Sequence, residues 1–276
     1  MGLRVGTNVS SLSAQRSLGV SSRQQESSLA KLASGTRITK AGDDAAGLAI
    51  SEKLKANIRG SRQATRNAGD GISMVQTAEG GLNEVSNILI RLRELSVQSA
   101  SDTIGDQERS FSNNEFQHLT KEVDRLANTT KFNGLDLLTG EGDSLDFQIG
   151  IHNDDFNDRI KYEPQLTSAK TSDLGIEGLT VESKGDAQGN LEKIDNALFS
   201  VNGSRASLGA LQNRLQSTIN NLEVKVENLS SANSRIRDTD VAQESSNLSK
   251  QNILTQAGTS VLAQANVSKQ AALKLI

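Results

Sequence analysis

The clearest pattern along the chain is a heptad repeat in its C-terminal half. One apolar residue recurs at every seventh position, at Ile194, Val201, Leu208, Leu215, Leu222, Leu229 and Ile236. This spacing places the side chains on one face of an α-helix that packs against other helices. A second, partly polar row is formed by Leu198, Arg205, Gln212, Ile219, Val226 and Asn233. The two rows together predict a helix over about 191–236, followed by a break and a new helix cap within 238–240.

Two further helices are predicted in the N-terminal half. A stripe with three- and four-residue spacing runs through Ile72, Val75, Leu82, Val85, Leu89 and Leu92, and predicts a helix over about 44–99. A second stripe contains Phe116, Leu119, Val123 and Leu126, and predicts a helix over about 107–128. The polar residues 101–106 between them predict a turn.

The middle of the chain changes period. Leu145, Phe147, Ile149 and Ile151 alternate with polar residues or glycine, which predicts a half-buried strand. Residues 135–138 are the expected partner strand, and residues 159–162 are a further strand candidate. The polar, glycine-containing segment 165–190 is expected to hold no more than a short hairpin.

Composition supports a helical chain. Aromatic residues make up 3% of the sequence, and there is one proline in 276 residues. With so few aromatic residues, the core must be built from Leu, Ile, Val and Ala, which suit the contacts between helices. The single proline leaves long stretches of the chain in which nothing breaks a helix. The fold class predicted is therefore mainly α: an elongated antiparallel helical bundle or coiled coil with a small β-hairpin region and paired N- and C-terminal helices.

Composition also excludes several classes of function. The absence of cysteine excludes disulfides, thiolate metal sites and cysteine nucleophiles. Two histidines far apart argue against a multi-histidine metal site. A net charge of −3 and a pI near 5.6 argue against nucleic-acid binding. No apolar run is long enough for membrane insertion, and the first residues lack the apolar core of an ordinary secretory signal.

Charge is distributed unevenly. Residues 1–35 hold five charged side chains and residues 241–276 hold four, whereas residues 141–195 hold thirteen acids and five bases. Both terminal segments also carry apolar residues at helical spacing. We therefore expect the terminal helices to be buried by other chains and the acidic middle to face water.

Short sequence words then point to a family. The longest are Leu29-Ala30-Lys31-Leu32-Ala33-Ser34-Gly35-Thr36-Arg37-Ile38 and Ala41-Gly42-Asp43-Asp44-Ala45-Ala46-Gly47-Leu48-Ala49-Ile50-Ser51. Others are Asn67-Ala68-Gly69-Asp70-Gly71-Ile72-Ser73, Lys131-Phe132-Asn133-Gly134 and Ser234-Arg235-Ile236-Arg237-Asp238-Thr239-Asp240. These words, in this order along nearly the whole chain, resemble bacterial flagellin.

The resemblance implies a domain layout. Residues 1–45 and 238–276 would form an inner tube domain made of the terminal coiled coil. Residues 46–237 would form a helical rod with a β-hairpin at about 135–165. The large outer domains of many flagellins would be reduced here to a short loop or hairpin at 165–190.

The resemblance further implies a structural, non-enzymatic role in which the chain polymerises into the flagellar filament that drives motility. No cofactor and no metal are expected. The implied partners are further copies of the chain, an export chaperone, a filament cap and hook-junction proteins, and the implied location is the extracellular filament, reached by type III export without a cleaved signal. The residues expected to mediate polymerisation are Val5, Val9, Leu12, Leu29, Leu32, Leu254, Val261, Ala265, Ala272 and Ile276.

A second expectation from the resemblance is recognition by the Toll-like receptor 5. Arg91, Leu95 and Glu115 match the family's contact positions, while Ile90 and Ser96 depart from its usual Gln and Ala. The alternative interpretation is that Arg91 belongs to an ordinary solvated helix face beside a buried seam.

Other candidate sites have simpler interpretations. The carboxylates at 154, 155 and 158 near His152 lack the spacing of a calcium loop, and are interpreted as a solvated acidic loop. His118 is interpreted as a surface or seam residue, and Asp43 and Asp44 as caps of the following helix. An alternative function is that of a hook–filament junction protein, which shares the paired terminal helices.

Overall fold

The computed structural model describes residues 7–273, and the side chains of residues 7–268. Five α-helices account for most of this part: α1 (Val9–Ser34), α2 (Ala45–Ser99), α3 (Asp106–Thr129), α4 (Lys184–Arg237) and α5 (Val241–Leu273). The strands are β1 (Lys131–Phe132), β2 (Leu135–Asp136), β3 (Leu145–Gln148) and β4 (Arg159–Tyr162). The mainly α fold class is confirmed. None of the helices within residues 7–273 has the length and apolarity needed to span a bilayer.

The chain divides into two compact units. One consists of residues 59–227 and contains the main hydrophobic core, whereas the other consists of residues 1–58 with 228–276. The domain boundaries expected from the family, near 45 and 238, remain a prediction.

The heptad row of α4 is the centre of the core in unit 59–227. Ile194, Val201, Leu208 and Leu215 are each at most 2% exposed. The apolar residues of the second row, Leu198, Ile219 and Val226, are only half-buried. The α2 stripe faces the same core, with Val75, Leu82, Val85, Leu89 and Leu92 fully buried. Ion pairs between Arg93 and Asp195 and between Arg205 and Glu79 show that α2 and α4 run antiparallel.

The helix boundaries agree with the sequence-based ones for α2 and α3, but α4 begins about seven residues earlier than expected. Ser183 caps this earlier start, because its Oγ accepts the backbone N–H of Asp186 at 3.1 Å and also contacts the Asp186 carboxylate at 2.6 Å. This is the arrangement of a serine N-cap, whose hydroxyl oxygen accepts the N–H of the third helical residue. The heptad row could not reveal it, since no large apolar residue lies between 184 and 190.

The expected strand pairing was wrong in one respect. Strand β3 pairs antiparallel with β4, and β2 pairs with β1. Asn133 and Gly134 have φ values of 48° and 82°, so they form a two-residue turn of the kind that closes a β-hairpin. Residues 135–138 therefore fold back on 131–132, and the side chains at 137 and 138 enter the core.

Segment 165–190 forms no hairpin, which the expected short loop or hairpin allows, but it does not simply face water as expected for the acidic middle of the chain. It contains a short 3-10 helix, Pro164–Thr167, then turns, and finally the first residues of α4. Most of its apolar side chains are buried, at Ala169, Leu174, Ile176, Leu179 and Val181, whereas Leu166 is exposed. Polar side chains of α3 hold its backbone: Asn113 accepts the N–H of Val181 at 3.1 Å, and Gln117 donates to the carbonyl of Leu179 at 2.7 Å.

The single tyrosine closes the core beside the β-hairpin. The Tyr162 hydroxyl is 2.8 Å from the carbonyl of Leu137 and 2.9 Å from the Thr167 hydroxyl, and the residue is 1% exposed. Burial raises the pKa of Tyr162 above its ordinary value because it disfavours the phenolate, although the Thr167 hydrogen bond opposes this in part.

We predict that this tyrosine ionises abnormally. Titration followed by phenolate absorbance should show that Tyr162 ionises at a higher pH in the folded chain than in denaturant, where its pKa should be about 10. Because the folded pKa is the higher one, the contribution of Tyr162 to stability should be constant below about pH 10 and fall as the pH rises through the unfolded and then the folded pKa. A folded chain that titrates like free tyrosine would contradict the buried position.

Two adjacent glycines in α2 provide a matched test of packing. A Cβ on Gly80 would meet nothing within 4 Å, whereas a Cβ on Gly81 would lie 2.7 Å from Leu138 Cδ1 and 2.8 Å from Thr130 Oγ1. Gly80→Ala should stabilise the chain by about 1 kcal/mol through helix propensity. Gly81→Ala should destabilise it, because overpacking typically costs about 1–3 kcal/mol. Thermal unfolding that moves in the same direction for both variants would contradict this packing.

Candidate functional site: the terminal helix pair

The two terminal helices pack against each other within unit 1–58 with 228–276. They run antiparallel, because Asn8 donates to the carbonyl of Ala265 at 3.0 Å near one end, while Gln25 donates to Asn252 at 2.8 Å further along. Ser11 adds a side-chain hydrogen bond to Asn266 at 3.0 Å. These polar contacts fix which faces of the helices meet.

The seam between α1 and α5 is composed mainly of small and polar residues. On α1 the inward, buried or half-buried positions alternate at three and four residues: Ser11, Ala14, Leu18, Ser21, Gln25, Ser28 and Leu32. On α5 the corresponding half-buried positions are Glu244, Leu248, Gln251, Thr255, Gly258, Leu262 and Ala265. The spacing is that of a coiled coil, but only four of these fourteen residues are leucine, and the other ten are small or polar.

The large aliphatic residues lie mostly outside this seam. Side chains between 41% and 72% exposed are Val9, Leu12, Val20, Leu29, Val241, Ile253, Leu254, Val261 and Val267. Five of them, Val9, Leu12, Leu29, Leu254 and Val261, belong to the predicted polymerisation set. A groove of about 650 Å³ runs beside the pair, lined by Val9, Leu18, Leu254, Val261 and neighbouring small residues. The pair therefore presents apolar surface that residues 7–268 leave uncovered.

The remaining predicted polymerisation residues are placed differently. Leu32 and Ala265 are half-buried in the α1–α5 seam, so they do not belong to the outer apolar surface. Val5 and Ile276 lie outside the described residues, and so does the side chain of Ala272. The sequence pattern found apolar helix positions but could not tell the outward face from the seam, since both faces carry aliphatic residues.

A short clasp joins the inner ends of the two helices. We use this name for residues 35–37 with 236–239, where Thr36 and Asp238 form an isolated antiparallel bridge. The Arg37 N–H donates to the Arg237 carbonyl at 2.6 Å, and the Thr239 N–H donates to the Gly35 carbonyl at 3.0 Å. The Arg37 guanidinium adds bonds of 3.2 and 2.7 Å to the carbonyl of Ile236, at the end of α4.

The aspartates beside the clasp act as caps, as predicted in part. Asp44 Oδ1 accepts the N–H of Gly47 at 2.8 Å in the first turn of α2. Asp240 accepts N–H groups of the first turn of α5 at 2.9 and 3.1 Å. Asp43 instead closes the preceding turn, because its carboxylate accepts the backbone N–H of Lys40 and both the hydroxyl and the N–H of Thr39. These hydrogen bonds hold the pKa of its carboxyl below the ordinary value, and the one from Lys40 has the largest effect.

The candidate receptor face lies in unit 59–227. Arg91 bridges Glu94 at 3.0 Å and Glu115 at 2.9 Å, and all three side chains are about half-exposed. These hydrogen bonds raise the pKa of Arg91 above its usual range, and the bond to Glu94 has the largest effect. Leu95 is different, because it is 2% exposed and packs in the core. The structure thus brings Arg91 and Glu115 together on the surface, while Leu95 supports the helix from below.

Beside Arg91 lies a shallow apolar groove that sequence reasoning did not identify. It has a volume of about 510 Å³ and is lined by Ile90, Arg93, Glu94, Val97 and Gln98. Ile90 and Val97 are 47% and 50% exposed. The signal was present in the sequence, since these residues are seven positions apart on α2, one position away from the buried stripe.

The carboxylates of Asp154 and Asp155 in the acidic loop bond to neighbouring groups of the chain. Asp155 pairs with Lys161 at 2.9 Å, and Lys161 lowers the pKa of Asp155. Asp154 accepts the N–H groups of Phe156 and Asn157, at 2.9 and 3.1 Å. Among the residues that the structure describes, no group of three or more His, Cys, Asp or Glu side chains is arranged to hold a metal ion. His118 is exposed on α3.

Comparison with known proteins places this architecture in context. Residues 5–143 match the bacterial flagellin N-terminal helical region, and residues 191–276 match the bacterial flagellin C-terminal helical region. The chain is 44% identical to a flagellin of Halalkalibacterium halodurans over 99% of both sequences. It is 41% identical to the flagellar filament 30.7 kDa core protein of Treponema maltophilum, again over 99% of each.

A solved structure shows a similar fold. The crystal structure of Bacillus cereus flagellin aligns with a TM-score of 0.50 and 30% sequence identity. The alignment covers 57% of this chain and 88% of that one.

Proposed function

Since the chain belongs to the bacterial flagellin family, we propose that it is the subunit of a flagellar filament and assembles by burying its terminal helix pair against further copies of itself. The family places the protein among structural proteins of the flagellum, and filament core proteins are among its relatives. The observation that carries the assembly step is the uncovered aliphatic surface of α1 and α5, beside a seam made mainly of Ser, Ala, Gly and amides.

The physical argument rests on the hydrophobic effect. A helix pair normally buries its largest apolar side chains in its own seam, whereas this pair keeps most of them outside. Each exposed valine or leucine that becomes buried contributes about 1–3 kcal/mol. A different part of the exposed apolar surface on a second copy supplies the matching face, and repetition of such a head-to-tail contact, when it does not close, generates a helical filament.

Few charges oppose this burial. Helices α1 and α5 together contain 59 residues. Seven of these residues are charged: Arg16, Arg23, Glu26, Lys31, Glu244, Lys250 and Lys269. Burying a charge without a partner costs far more than an aliphatic contact gains. A nearly uncharged helix pair can therefore enter a filament interior at low cost, and its ordering is coupled to assembly.

The proposal includes the family's route and partners. The chain would leave the cell through the flagellar type III apparatus without a cleaved signal, with a chaperone on its C-terminal helix before export. A filament cap and hook-junction proteins would contact the growing and proximal ends. A chain without cysteine suits export in an unfolded state, because no thiol can be oxidised outside the cell.

Electron microscopy of purified chain seeded with short filament fragments, beside a seed-free control, tests the proposal. We expect long tubes with a repeating helical lattice. Decoration of seed ends alone would favour the hook–filament junction alternative. A chain that stays monomeric with seeds under all salt conditions would contradict self-assembly.

Substitutions in α5 should alter assembly selectively. Val261→Asn removes an outward apolar contact and should raise the critical concentration for polymerisation by about tenfold, the equivalent of about 1.4 kcal/mol per subunit. Gln264→Asn places the same residue at an exposed polar position of the same helix and should change the critical concentration little. Sedimentation of assembled chain measures both, and equal effects would refute the role of the aliphatic surface.

A truncated chain provides a coarser test. Deleting residues 241–276 removes half of the helix pair but leaves unit 59–227 intact. We expect a soluble, folded protein that does not polymerise. A raised pKa of Tyr162 would show that the core of unit 59–227 is folded in this protein. Filaments formed by this truncation would defeat the proposed mechanism.

We also propose recognition by the Toll-like receptor 5 at the half-exposed Arg91 and the adjacent groove. An exposed arginine bordering apolar side chains has the composition of an interface hot spot. Arg91→Ala should abolish signalling in a receptor reporter assay on monomer, with a stability change within about 0.5 kcal/mol because exposed ion pairs contribute little. Arg125→Ala, at another exposed i,i+3 ion pair, is the matched control, and unchanged signalling by Arg91→Ala would exclude this site.

A further inference from the structure

We infer that the clasp is a register lock: its hydrogen bonds, rather than the α1–α5 seam, set which turn of α1 faces which turn of α5. This device is carried by contacts within one chain, so it does not depend on filament assembly. It would determine which aliphatic residues of the two helices lie side by side on the outer surface.

The first observation is a constant register. Opposed residues in an antiparallel pair have numbers with a nearly constant sum, and the clasp bridge joins residues 36 and 238. The contacts within the helix pair keep almost the same sum, with residue 8 bonded to 265, 11 to 266 and 25 to 252. The clasp and the helix pair therefore follow one continuous alignment.

The second observation is that the seam itself specifies register weakly. A coiled coil is held in register mainly by large apolar knobs and by buried polar pairs. Here small and polar residues fill most seam positions, and Leu18, one of the few large side chains, meets Gly258, which has no side chain to enclose it. The hydrogen bonds of Gln25 and of Asn8 to α5 are exposed or half-buried. A slip by one helical turn would therefore exchange most seam contacts for others of the same kind, at little cost.

The third observation is that the clasp is tied to the ends of α2 and α4. The Arg37 guanidinium caps the end of α4 at the Ile236 carbonyl. Arg237 pairs with Glu52, and the buried Ser51 donates to Asn233 at 2.8 Å. Ile38 is 2% exposed, and Gly47 lies so close that an added Cβ would be 2.9 Å from its Cδ1. The clasp therefore cannot shift along the chain without breaking these contacts.

The absence of native cysteine makes the register directly measurable by disulfide trapping. A Cβ on Gly258 would lie 3.9 Å from the Cβ of Leu18, within the range that a disulfide requires. A chain with Leu18→Cys and Gly258→Cys reports the observed register. Chains that combine Leu18→Cys with Thr255→Cys or with Leu262→Cys, the seam positions on either side of Gly258, report slips of one turn in either direction.

Matched variants open the clasp without altering the seam. Arg37→Pro with Thr239→Pro removes both backbone donors of the clasp, together with the guanidinium. The residues before these positions are the bridge partners Thr36 and Asp238, and an extended residue before proline is sterically allowed. Arg37→Ala with Thr239→Ala changes the same side chains but keeps both N–H groups, and so serves as the control.

The experiment compares oxidation yields of the full-length unassembled chains by non-reducing peptide mapping. With the native or alanine clasp, we expect the 18–258 disulfide to exceed both slipped disulfides. With the proline clasp, this preference should fall by about tenfold, the effect expected from two lost backbone hydrogen bonds. The raised pKa of Tyr162 serves as the check that unit 59–227 stays folded, and if the double proline chain fails it, Thr239→Pro alone replaces that chain.

Three results would overturn the inference. The proline clasp could keep the native preference, the native clasp could trap all three disulfides equally, or no chain could form the 18–258 disulfide. Because the readout is intramolecular, failure here is distinct from failure of the proposed filament function, which seeded growth measures.

Discussion

The seam between the two terminal helices is the constraint on which the functional account depends. Its residues are mainly small or polar, and most of the large aliphatic side chains of both helices point away from it. An isolated pair built in this way gains little from its own packing, because buried apolar area supplies most of the stability of a helix pair. The energy that would normally hold the pair together is instead available to a neighbouring molecule.

Unit 59–227 is built on the opposite principle. The heptad row of α4 and the stripe of α2 bury their aliphatic side chains fully, and polar side chains of α3 satisfy the backbone of the segment at 169–182. This unit contains its own hydrophobic core and needs no partner to bury it. One chain thus combines a unit that has its own hydrophobic core with a helix pair that leaves most of its large aliphatic side chains exposed, which is the surface that the proposed filament assembly would use.

Much of this could be predicted from the sequence because heptad and three–four patterns are strong, local signals. The bounds of α2 and α3 followed from apolar stripes, and the capping by Asp44 and Asp240 followed from residue type. Two features did not follow. The partner of β3 depended on a turn at Asn133–Gly134, and the folded path of 165–190 depended on hydrogen bonds from a distant helix. The burial of Leu95 does continue the α2 stripe, three positions beyond Leu92. In the terminal helices, the seam and the outer face carry similar aliphatic patterns, so only the structure separates Leu32 from Leu29.

Hydrogen–deuterium exchange of free and assembled chain tests the central claim most directly, because it compares the two units within one molecule. The account predicts that in the free chain the amides of α1 and α5 exchange much faster than those around Leu208 and Leu215 in α4, and that assembly protects α1 and α5 to a similar degree. If α1 and α5 are already as protected in the free chain as the α4 seam, their stability does not come from neighbouring copies, and the account is contradicted.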